Sequence, residues 1–150
     1  MVFELSFESM TLEDLDGVMA VEHTAFVTPW SRRAFVTELT ENSYAYYIVA
    51  KVDREVVGYA GMWIIIDEAH VTNIAVHSRY RGNGIGERLM LELMAAARVR
   101  GCQRMTLEVR RSNLPAQQLY VKLGFVARGV RKGYYTDTRE DAIIMWKDRL

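Results

Sequence analysis

The chain begins with a strand pattern and then changes to helical spacing. Residues 2–9 alternate between apolar and polar side chains, which predicts a strand with one face in solvent. Thr11 and Asp14 are spaced like an acidic capping box, and apolar residues at intervals of three and four then predict a helix over about residues 11–26. A second, shorter helix is expected to begin after Ser31, a good N-cap residue, and to reach residue 39.

The middle of the chain predicts three consecutive strands. The segments YAYYIVAKV and EVVGYAGMWIII are rich in β-branched and aromatic residues and are joined by Asp53 and Arg54. Asp67 and Glu68 are expected to form the next turn, before the strand HVTNIAVH. Strands this close together in the chain are expected to pair as a meander.

The second half of the chain alternates helices and strands. A long helix is predicted over about residues 84–100, where apolar residues recur on one face, and Gly101 ends it. The strand CQRMTLEVR comes next, then a helix over 114–123 that Asn113 caps and Gly124 ends. Two strands, at about 125–135 and 141–148, close the order βααβββαβαββ. This order predicts an α/β fold in which helices pack on the faces of a mixed sheet.

The composition favours one globular domain over residues 1–150. Of the 150 residues, 50% are hydrophobic and 25% are charged, and 19 basic residues balance 19 acidic ones, so neither disorder nor a polyanion-binding surface is expected. The start lacks the pattern of a secretory signal, and no apolar stretch approaches the ~20 residues of a membrane helix, so a cytoplasmic location is expected. Cys102 is the single cysteine and is expected to be a buried structural thiol in a reducing compartment.

Glycine recurs at alternate positions in RGNGIGERLMLELM, at the start of the long helix. Because glycine in a regular element costs about 0.5–1 kcal/mol relative to alanine, this repetition needs a reason. A dinucleotide fingerprint would need a third glycine where Glu87 stands, and a nucleotide-triphosphate loop would need lysine followed by serine or threonine. The remaining pattern, Arg-x-x-Gly-x-Gly before a helix, favours a pyrophosphate bound by free N–H groups and the helix dipole. A merely flexible connection is the alternative.

The glycine loop and two further segments resemble one family of enzymes. RGNGIG is similar to the acyl-CoA pyrophosphate loop of the GCN5-related N-acetyltransferases (GNAT), and the predicted element order matches the twisted, mostly antiparallel sheet of that fold. More narrowly, HVTNIAVHSRYRGNGIG, TLEVRRSNLPAQQLYVKLGF and YYTDTREDAIIMW resemble the bacterial ribosomal-protein-alanine N-acetyltransferases. The resemblance implies an acetyl-CoA-dependent enzyme that acetylates the N-terminal alanine of the eighteenth protein of the small ribosomal subunit.

The resemblance places acetyl-CoA on the glycine loop and on the strand before it. It implies that the loop backbone holds the pyrophosphate and that edge groups of the strand pair with the pantetheine arm. The residues concerned are Arg81, Gly82, Asn83, Gly84, Ile85 and Gly86 in the loop and Ile74, Ala75 and Val76 in the strand. Asn113 is expected to cap its helix, to bind the cofactor, or to do both.

The resemblance also implies the two groups that move protons. Glu108 is expected to be the general base for the attacking amine, and Tyr120 the general acid for the departing thiolate. Considered without the family, Glu108 is a solvated charge at a strand end and Tyr120 is a core aromatic residue. A carboxylate fits an α-amine best, because the pKa of an α-amine is ~7.7–8.0 whereas that of lysine is ~10.4.

The peptide groove is expected beside Trp30 and beside Tyr134 and Tyr135, which are expected at the turn between the last two strands. Surface packing is an equal alternative for the two tyrosines. Two rival functions stay open. One is acetylation of lysine or of a small amine, and the other is an acyl-CoA-binding sensor without chemistry. A ribosome-binding protein without chemistry is disfavoured by the balanced charge.

A metal site is not expected. His23, His70 and His77 have no short ligand spacing with cysteine or with one another, so each is predicted to be structural or solvated.

Overall fold

One seven-stranded sheet organises the computed structural model, which describes residues 4–150. In chain order the elements are strand β1 (Leu5–Ser9), helices α1 (Leu15–Ala25) and α2 (Arg32–Thr40), strands β2 (Ala45–Val52), β3 (Glu55–Ile65) and β4 (Glu68–Val76), helix α3 (Ile85–Val99), strand β5 (Arg104–Arg110), helix α4 (Leu114–Lys122), and strands β6 (Val126–Tyr135) and β7 (Glu140–Lys147). The predicted order βααβββαβαββ is confirmed.

The sheet is antiparallel except at one place. Its strand order is β1-β2-β3-β4-β5-β7-β6, and every neighbouring pair is antiparallel apart from β4 and β5. Strands β2, β3 and β4 form the predicted meander, and β1 pairs with the outer edge of β2. The first strand was predicted over residues 2–9. Residues 2 and 3 of that prediction lie outside the residues that the structure describes, 4–150.

Side-chain caps fix the starts of two helices where the sequence predicted them. The hydroxyl oxygen of Ser31 accepts a hydrogen bond from the N–H of Ala34 before α2, and the Oδ1 atom of Asn113 accepts one from Ala116 before α4. Each cap satisfies one of the N–H groups that the first turn of a helix leaves free.

The first helix and two of the turns differ from the prediction. The segment predicted as one helix over residues 11–26 begins with a 3-10 turn at Leu12–Asp14, and α1 starts only at Leu15. Asp14 also forms an ion pair with Lys51 of β2, in which Nζ of Lys51 is 3.0 Å from Oδ1 of Asp14. This pair holds the start of the segment against β2. Glu68 belongs to β4 rather than to the turn before it, and Tyr134 and Tyr135 lie at the end of β6 rather than in the turn.

Two apolar clusters cover the two faces of the sheet. The α3 side chains predicted to share a face are buried, and they pack with Met62, Val71 and Leu107 of the sheet. On the opposite face, Phe35 of α2 contacts Tyr47 and Tyr59, with ring centroids 6.4 and 5.4 Å apart respectively. Cys102 is buried in the first cluster, as predicted, and burial raises the pKa of its thiol.

The parallel pair β4 and β5 separates soon after it begins. Only three pairs of residues are in register, Glu68 with Arg104, Ala69 with Met105, and His70 with Thr106. The register between β3 and β4 also shifts between Gly61 and Met62, which turns the rest of β4 away. Beyond His70, the facing edges of β4 and β5 are therefore open, and a cleft lies between them.

Candidate active site

A cleft of about 270 Å³ occupies the gap between β4 and β5. Its walls come from both strands, from the segment that joins α1 to α2, from α4 and from the end of β6. The lining residues are Glu22, Phe26, Thr28, Trp30, Val71, Thr72, Asn73, Ile74, Leu107, Glu108, Val109, Arg110, Asn113, Tyr120 and Tyr135. Helices and strands from the whole length of the chain thus contribute to one site.

The glycine loop lies between β4 and α3 and offers free N–H groups. Gly82 and Gly84 have φ angles of +79° and +76°, and a side chain at either position would meet no atom within 4 Å. These left-handed conformations favour glycine and leave the loop backbone accessible. Among the described residues, none accepts a hydrogen bond from the backbone N–H groups of residues 82–84. Together with the first turn of α3, they form a cradle suited to a pyrophosphate.

Two side chains hold the glycine loop in place. The guanidinium group of Arg81 donates hydrogen bonds to the carbonyl oxygens of Val76, at 3.4 Å, and Thr24, at 3.2 Å. The Nδ2 atom of Asn83 donates to the carbonyl oxygens of Tyr80 and Arg81. Both side chains therefore bind the protein's own backbone and turn the N–H groups of the loop outwards.

The backbone of β4 presents polar groups towards the cleft at alternate residues. The N–H of His77 donates to the carbonyl oxygen of Val57, so the register makes His77 and Ala75 the residues that bond to β3. The backbone groups of Ile74 and Val76 consequently point away from β3, towards the open edge. Of the three β4 residues predicted to meet the pantetheine arm, Ile74 and Val76 have this orientation.

Glu108 lies on the β5 wall of the cleft, beside a histidine that the sequence analysis did not connect with it. Its side chain is 10% exposed, and its Oε2 atom is 2.6 Å from the Nε2 atom of His70 on β4. The interpretation of His70 as a merely structural or solvated residue is therefore incomplete. The sequence indicated that both residues lie on strands, and the order of the elements places those strands side by side. The register that brings the two side chains into contact was not predictable.

Tyr120 of α4 lines the same cleft as Glu108. Its ring is 6% exposed and packs against Phe125, with ring centroids 5.9 Å apart. Within residues 4–150 no hydrogen bond to its hydroxyl group is formed. Burial raises the pKa of Tyr120 to about 12. The hydroxyl group thus remains protonated at neutral pH and has a proton to give.

A buried carboxylate that the sequence analysis missed fixes the α1 side of the cleft. Glu22 is 1% exposed, accepts a hydrogen bond at 2.7 Å from the N–H of Trp30, and accepts another from the hydroxyl group of Tyr59. Burial raises the pKa of Glu22, although both hydrogen bonds oppose that shift. The helical spacing of α1 did not indicate that Glu22 is buried, because Glu22 stands beside the apolar residues of the buried face.

The end of β6 and the turn after it close the opposite side. Arg110 pairs with Asp137 at 2.9 Å and lies over the ring of Tyr135, 4.0 Å from its centroid. Burial raises the pKa of Tyr135 to about 12. Tyr134 packs edge-on against Tyr135 but is 44% exposed, so of the two tyrosines only Tyr135 lines the cleft.

The structure brings the predicted site residues together in two adjoining groups. Trp30, Ile74, Glu108, Asn113, Tyr120 and Tyr135 line the cleft, and residues 81–86 form the loop that follows β4. Within residues 4–150 there is no cluster of three or more side chains able to hold a metal ion. No helix in the same range is long and apolar enough to cross a bilayer.

Comparison with known proteins gives concordant relatives. Residues 15–125 match the model of the acetyltransferase (GNAT) family. The chain is 46% identical over 138 residues to a putative ribosomal protein bS18-alanine N-acetyltransferase of Bacillus subtilis, covering 92% of this chain and 91% of that one. It is 34% identical to the bS18-alanine N-acetyltransferase of Escherichia coli K12, covering 93% and 95%. The crystal structure of the Escherichia coli ribosomal-protein-S18-alanine N-acetyltransferase superposes with a TM-score of 0.88 at 33% identity, covering 95% and 92%.

Proposed function

Because the chain belongs to the acetyltransferase (GNAT) family, we propose that it acetylates the α-amino group of an N-terminal alanine, with ribosomal protein bS18 as its target. The chain is an acetyltransferase and uses acetyl-CoA as the acetyl donor. The relatives from Bacillus subtilis and Escherichia coli, which match more than nine tenths of the chain, are named as bS18-alanine N-acetyltransferases, and this supports the choice of target. The observation that carries the proposal is that Glu108 of β5 and Tyr120 of α4 line one cleft.

The described residues offer groups that suit two parts of acetyl-CoA. The open N–H groups of residues 82–84 and the positive end of α3 suit the two phosphates of the pyrophosphate. The outward backbone groups of Ile74 and Val76 suit the amides of the pantetheine arm, which extends β4 as an added strand would. When bound in this way, the cofactor supplies an acetyl thioester in the cleft.

Glu108 is the general base in this proposal. It takes a proton from the α-ammonium group of the substrate, directly or through a water molecule, so that the amine nitrogen can form a bond to the acetyl carbon. The pKa of an α-amine is ~7.7–8.0, against ~10.4 for lysine, so releasing the α-amine costs roughly 3 kcal/mol less at 1.36 kcal/mol per pKa unit. A carboxylate with hydrogen-bonding partners therefore suits an N-terminus better than a lysine side chain.

Tyr120 is the general acid. As the carbon–sulfur bond breaks, its hydroxyl group gives a proton to the thiolate of coenzyme A. The nitrogen that now carries the acetyl group loses its second proton, and this proton restores the phenol of Tyr120. Its raised pKa, about 12, keeps the proton on the phenol until the thiolate develops charge. The absence of a hydrogen-bonding partner within the described residues leaves the hydroxyl group available for that sulfur atom.

The acetyl group passes directly from donor to amine in this proposal. Cys102 is 6% exposed, packs in the core beneath α3 and does not line the cleft. Burial also raises the pKa of its thiol, which reduces the fraction of reactive thiolate. The buried position of Cys102 supports direct attack over a route through an acetylated cysteine.

The cleft walls near Glu108 supply the substrate contacts. Trp30 is fixed by its N–H bond to Glu22 and by packing on Phe35, with ring centroids 5.3 Å apart. Tyr135 faces it from β6, held under Arg110. Both aromatic residues line the cleft that Glu108 also lines, so they are placed to contact the first residues of the substrate. The rival activity, acetylation of a lysine or of a small amine, is tested against acetylation of the N-terminus with a peptide that carries both kinds of amine.

The experiment uses one peptide with two competing amines. The protein is incubated with acetyl-CoA and a peptide that begins with alanine and carries one internal lysine, and fragment mass spectrometry locates the acetyl group. Acetylation at the N-terminus alone is the expected result. Acetylation of the lysine would overturn the proposed substrate, and binding of acetyl-CoA without any acetylation would favour a sensor.

A further inference from the structure

A second hollow lies next to the cleft and shares no lining residue with it. This hollow, of about 330 Å³, is lined by Trp63, Ile65, Ile66, Asp67, Glu68, His70 and Thr106. It opens on the same face of the sheet as Glu108, because Thr106 and Glu108 are two residues apart on β5. His70 belongs to the wall of the hollow and Glu108 to the wall of the cleft.

The contact between His70 and Glu108 is the bridge between these two spaces. Nε2 of His70 and Oε2 of Glu108 are 2.6 Å apart, within hydrogen-bonding distance. The side chain of His70 is 34% exposed, whereas that of Glu108 is 10% exposed. The imidazole ring therefore stands between a nearly buried carboxylate and solvent.

The ring of His70 is oriented for this position. It lies edge-on to Trp63, with ring centroids 6.3 Å apart. Trp63 is itself held by Glu38, whose Oε1 atom accepts a hydrogen bond from the indole nitrogen at 2.7 Å. Within residues 4–150, Nδ1 of His70 forms no hydrogen bond, so it is available to water in the hollow.

We propose that His70 carries the proton from Glu108 out to the second hollow during turnover. The proposal rests on the proposed function, in which Glu108 receives a proton from the substrate amine. Acetyl-CoA and the peptide fill the cleft at that moment and cover the cleft side of Glu108. The other side of Glu108 contacts His70, and the imidazole ring of His70 reaches solvent.

The proton transfer balances without any further reactant. An N–H bond of the substrate amine breaks and an O–H bond forms on Glu108. That O–H bond then breaks as an N–H bond forms on Nε2 of His70, and the proton on Nδ1 leaves to water in the hollow. After the products leave, Nε2 loses its proton through Glu108 to water in the emptied cleft, and Nδ1 takes a proton from water in the hollow, which restores the first tautomer. Imidazole suits this role because one ring nitrogen can take up a proton while the other releases one.

The charged groups around His70 are few and mostly acidic. Glu108 faces it from β5, Asp67 and Glu68 lie in the hollow, and Arg104 approaches Glu68 at 4.0 Å. On the β3 side, Trp63 lies between His70 and Glu38. It packs edge-on against His70 and donates its indole N–H to Glu38. No cation among the described residues forms an ion pair with Glu108, so His70 is its only paired partner.

The test compares His70→Ala and His70→Gln with wild type and with the control His23→Gln, a substitution of an exposed histidine outside the cleft. Initial rates are measured with acetyl-CoA and peptide at saturation, without and with added imidazole. His70→Ala should lower kcat about 100-fold, with KM for acetyl-CoA unchanged, because a general acid or base contributes ~10²–10⁴-fold. Imidazole should restore part of that loss in a saturable manner.

His70→Gln separates positioning from proton transfer. Glutamine can hold the carboxylate of Glu108 by a hydrogen bond but cannot carry a proton, so kcat should stay low and the pH–rate profile should shift. Circular dichroism and calorimetric binding of acetyl-CoA verify the folded state of each variant. Wild-type kcat in His70→Ala, or a low kcat that imidazole does not raise, would overturn the relay.

The relay and the proposed function fail in different ways. Acetylation of the peptide N-terminus by wild type and by His23→Gln upholds the function whatever the His70 variants do. If wild type prefers another amine, the same His70 comparison is made with that amine, and an unchanged kcat there overturns the relay.

Discussion

The hydroxyl group of Thr28, which lines the cleft, donates a hydrogen bond to Asp137, 3.3 Å away. Thr28 lies between α1 and α2, and Asp137 lies in the turn between β6 and β7, so the bond joins the two segments that flank the proposed peptide groove. Arg110 also pairs with Asp137, and its hydrogen bond to this carboxylate lowers the pKa of Asp137. The carboxylate therefore stays charged well into acidic pH and keeps this bridge in place.

Thr28→Val should loosen the bridge without changing the shape of the side chain. One lost hydrogen bond of ~1 kcal/mol corresponds to about a fivefold increase in KM for the peptide, while KM for acetyl-CoA should not change. Steady-state kinetics with varied peptide measure the effect. Thr40→Val, in which the hydroxyl group bonds only within α2, is the control. Equal KM values in both variants would show that the bridge does not shape the groove.

Glu108→Gln should reduce turnover most at low pH. Most of the substrate amine is protonated below its pKa of ~7.7–8.0, so a base is needed there, whereas at high pH the free amine attacks without help. The measurement is kcat/KM for the peptide as a function of pH, with acetyl-CoA affinity determined separately. A profile parallel to that of wild type would remove Glu108 from the proton transfer.

Tyr120→Phe should lower kcat about 100-fold and leave the fold unchanged, because the hydroxyl group donates a proton but bonds to none of residues 4–150. Wild-type kcat should not fall on the alkaline side until the pH approaches the raised pKa of about 12. Tyr44→Phe, at a position 58% exposed, is the control. Equal rates in the two variants would return Tyr120 to a packing role.

Gly84→Ala should weaken acetyl-CoA binding by more than its effect on stability explains. Alanine at a φ of +76° is strained by about 1–2 kcal/mol, and its methyl group projects into the open cradle. Gly101 has a φ of +84° and equally open surroundings at the far end of α3. Gly101→Ala should therefore unfold at a similarly lowered temperature yet bind acetyl-CoA normally in calorimetry. Matching affinities would contradict the role of the loop.

Glu22 should make the protein less stable as the pH rises. Burial raises its pKa above the usual 4.5, so between 4.5 and the raised value the folded state holds more protons than the unfolded state. The free energy of unfolding therefore falls across that window with rising pH. Glu22→Gln should flatten this part of the curve, and exposed Glu41→Gln should not. Thermal unfolding from about pH 4 to about pH 8 measures the slope, and identical slopes in all three proteins would contradict the assignment.

Local chemistry explains which features the sequence could predict. Ser31 and Asn113 act within three residues of their own position, so their caps were predictable, and so were the glycines that start α3. The contact of His70 with Glu108 depends on the register between two strands separated by a helix, which no local pattern specifies.

The buried carboxylates were unpredictable for a related reason. Glu22 is held by Tyr59 and by the N–H of Trp30, groups from a strand and a loop that only the folded chain brings together. A glutamate beside apolar residues normally marks the edge of a buried helix face. Only tertiary hydrogen bonds make its burial tolerable.

The most direct test of the account is the reaction with bS18 itself. Unacetylated bS18, and the same protein with its N-terminus chemically blocked, are each incubated with acetyl-CoA and the enzyme, and intact mass spectrometry counts the acetyl groups added. The account predicts one acetyl group on the free protein, on its N-terminal alanine, and none on the blocked protein. Acetylation of the blocked protein, or no acetylation of either by an enzyme that binds acetyl-CoA, would contradict it.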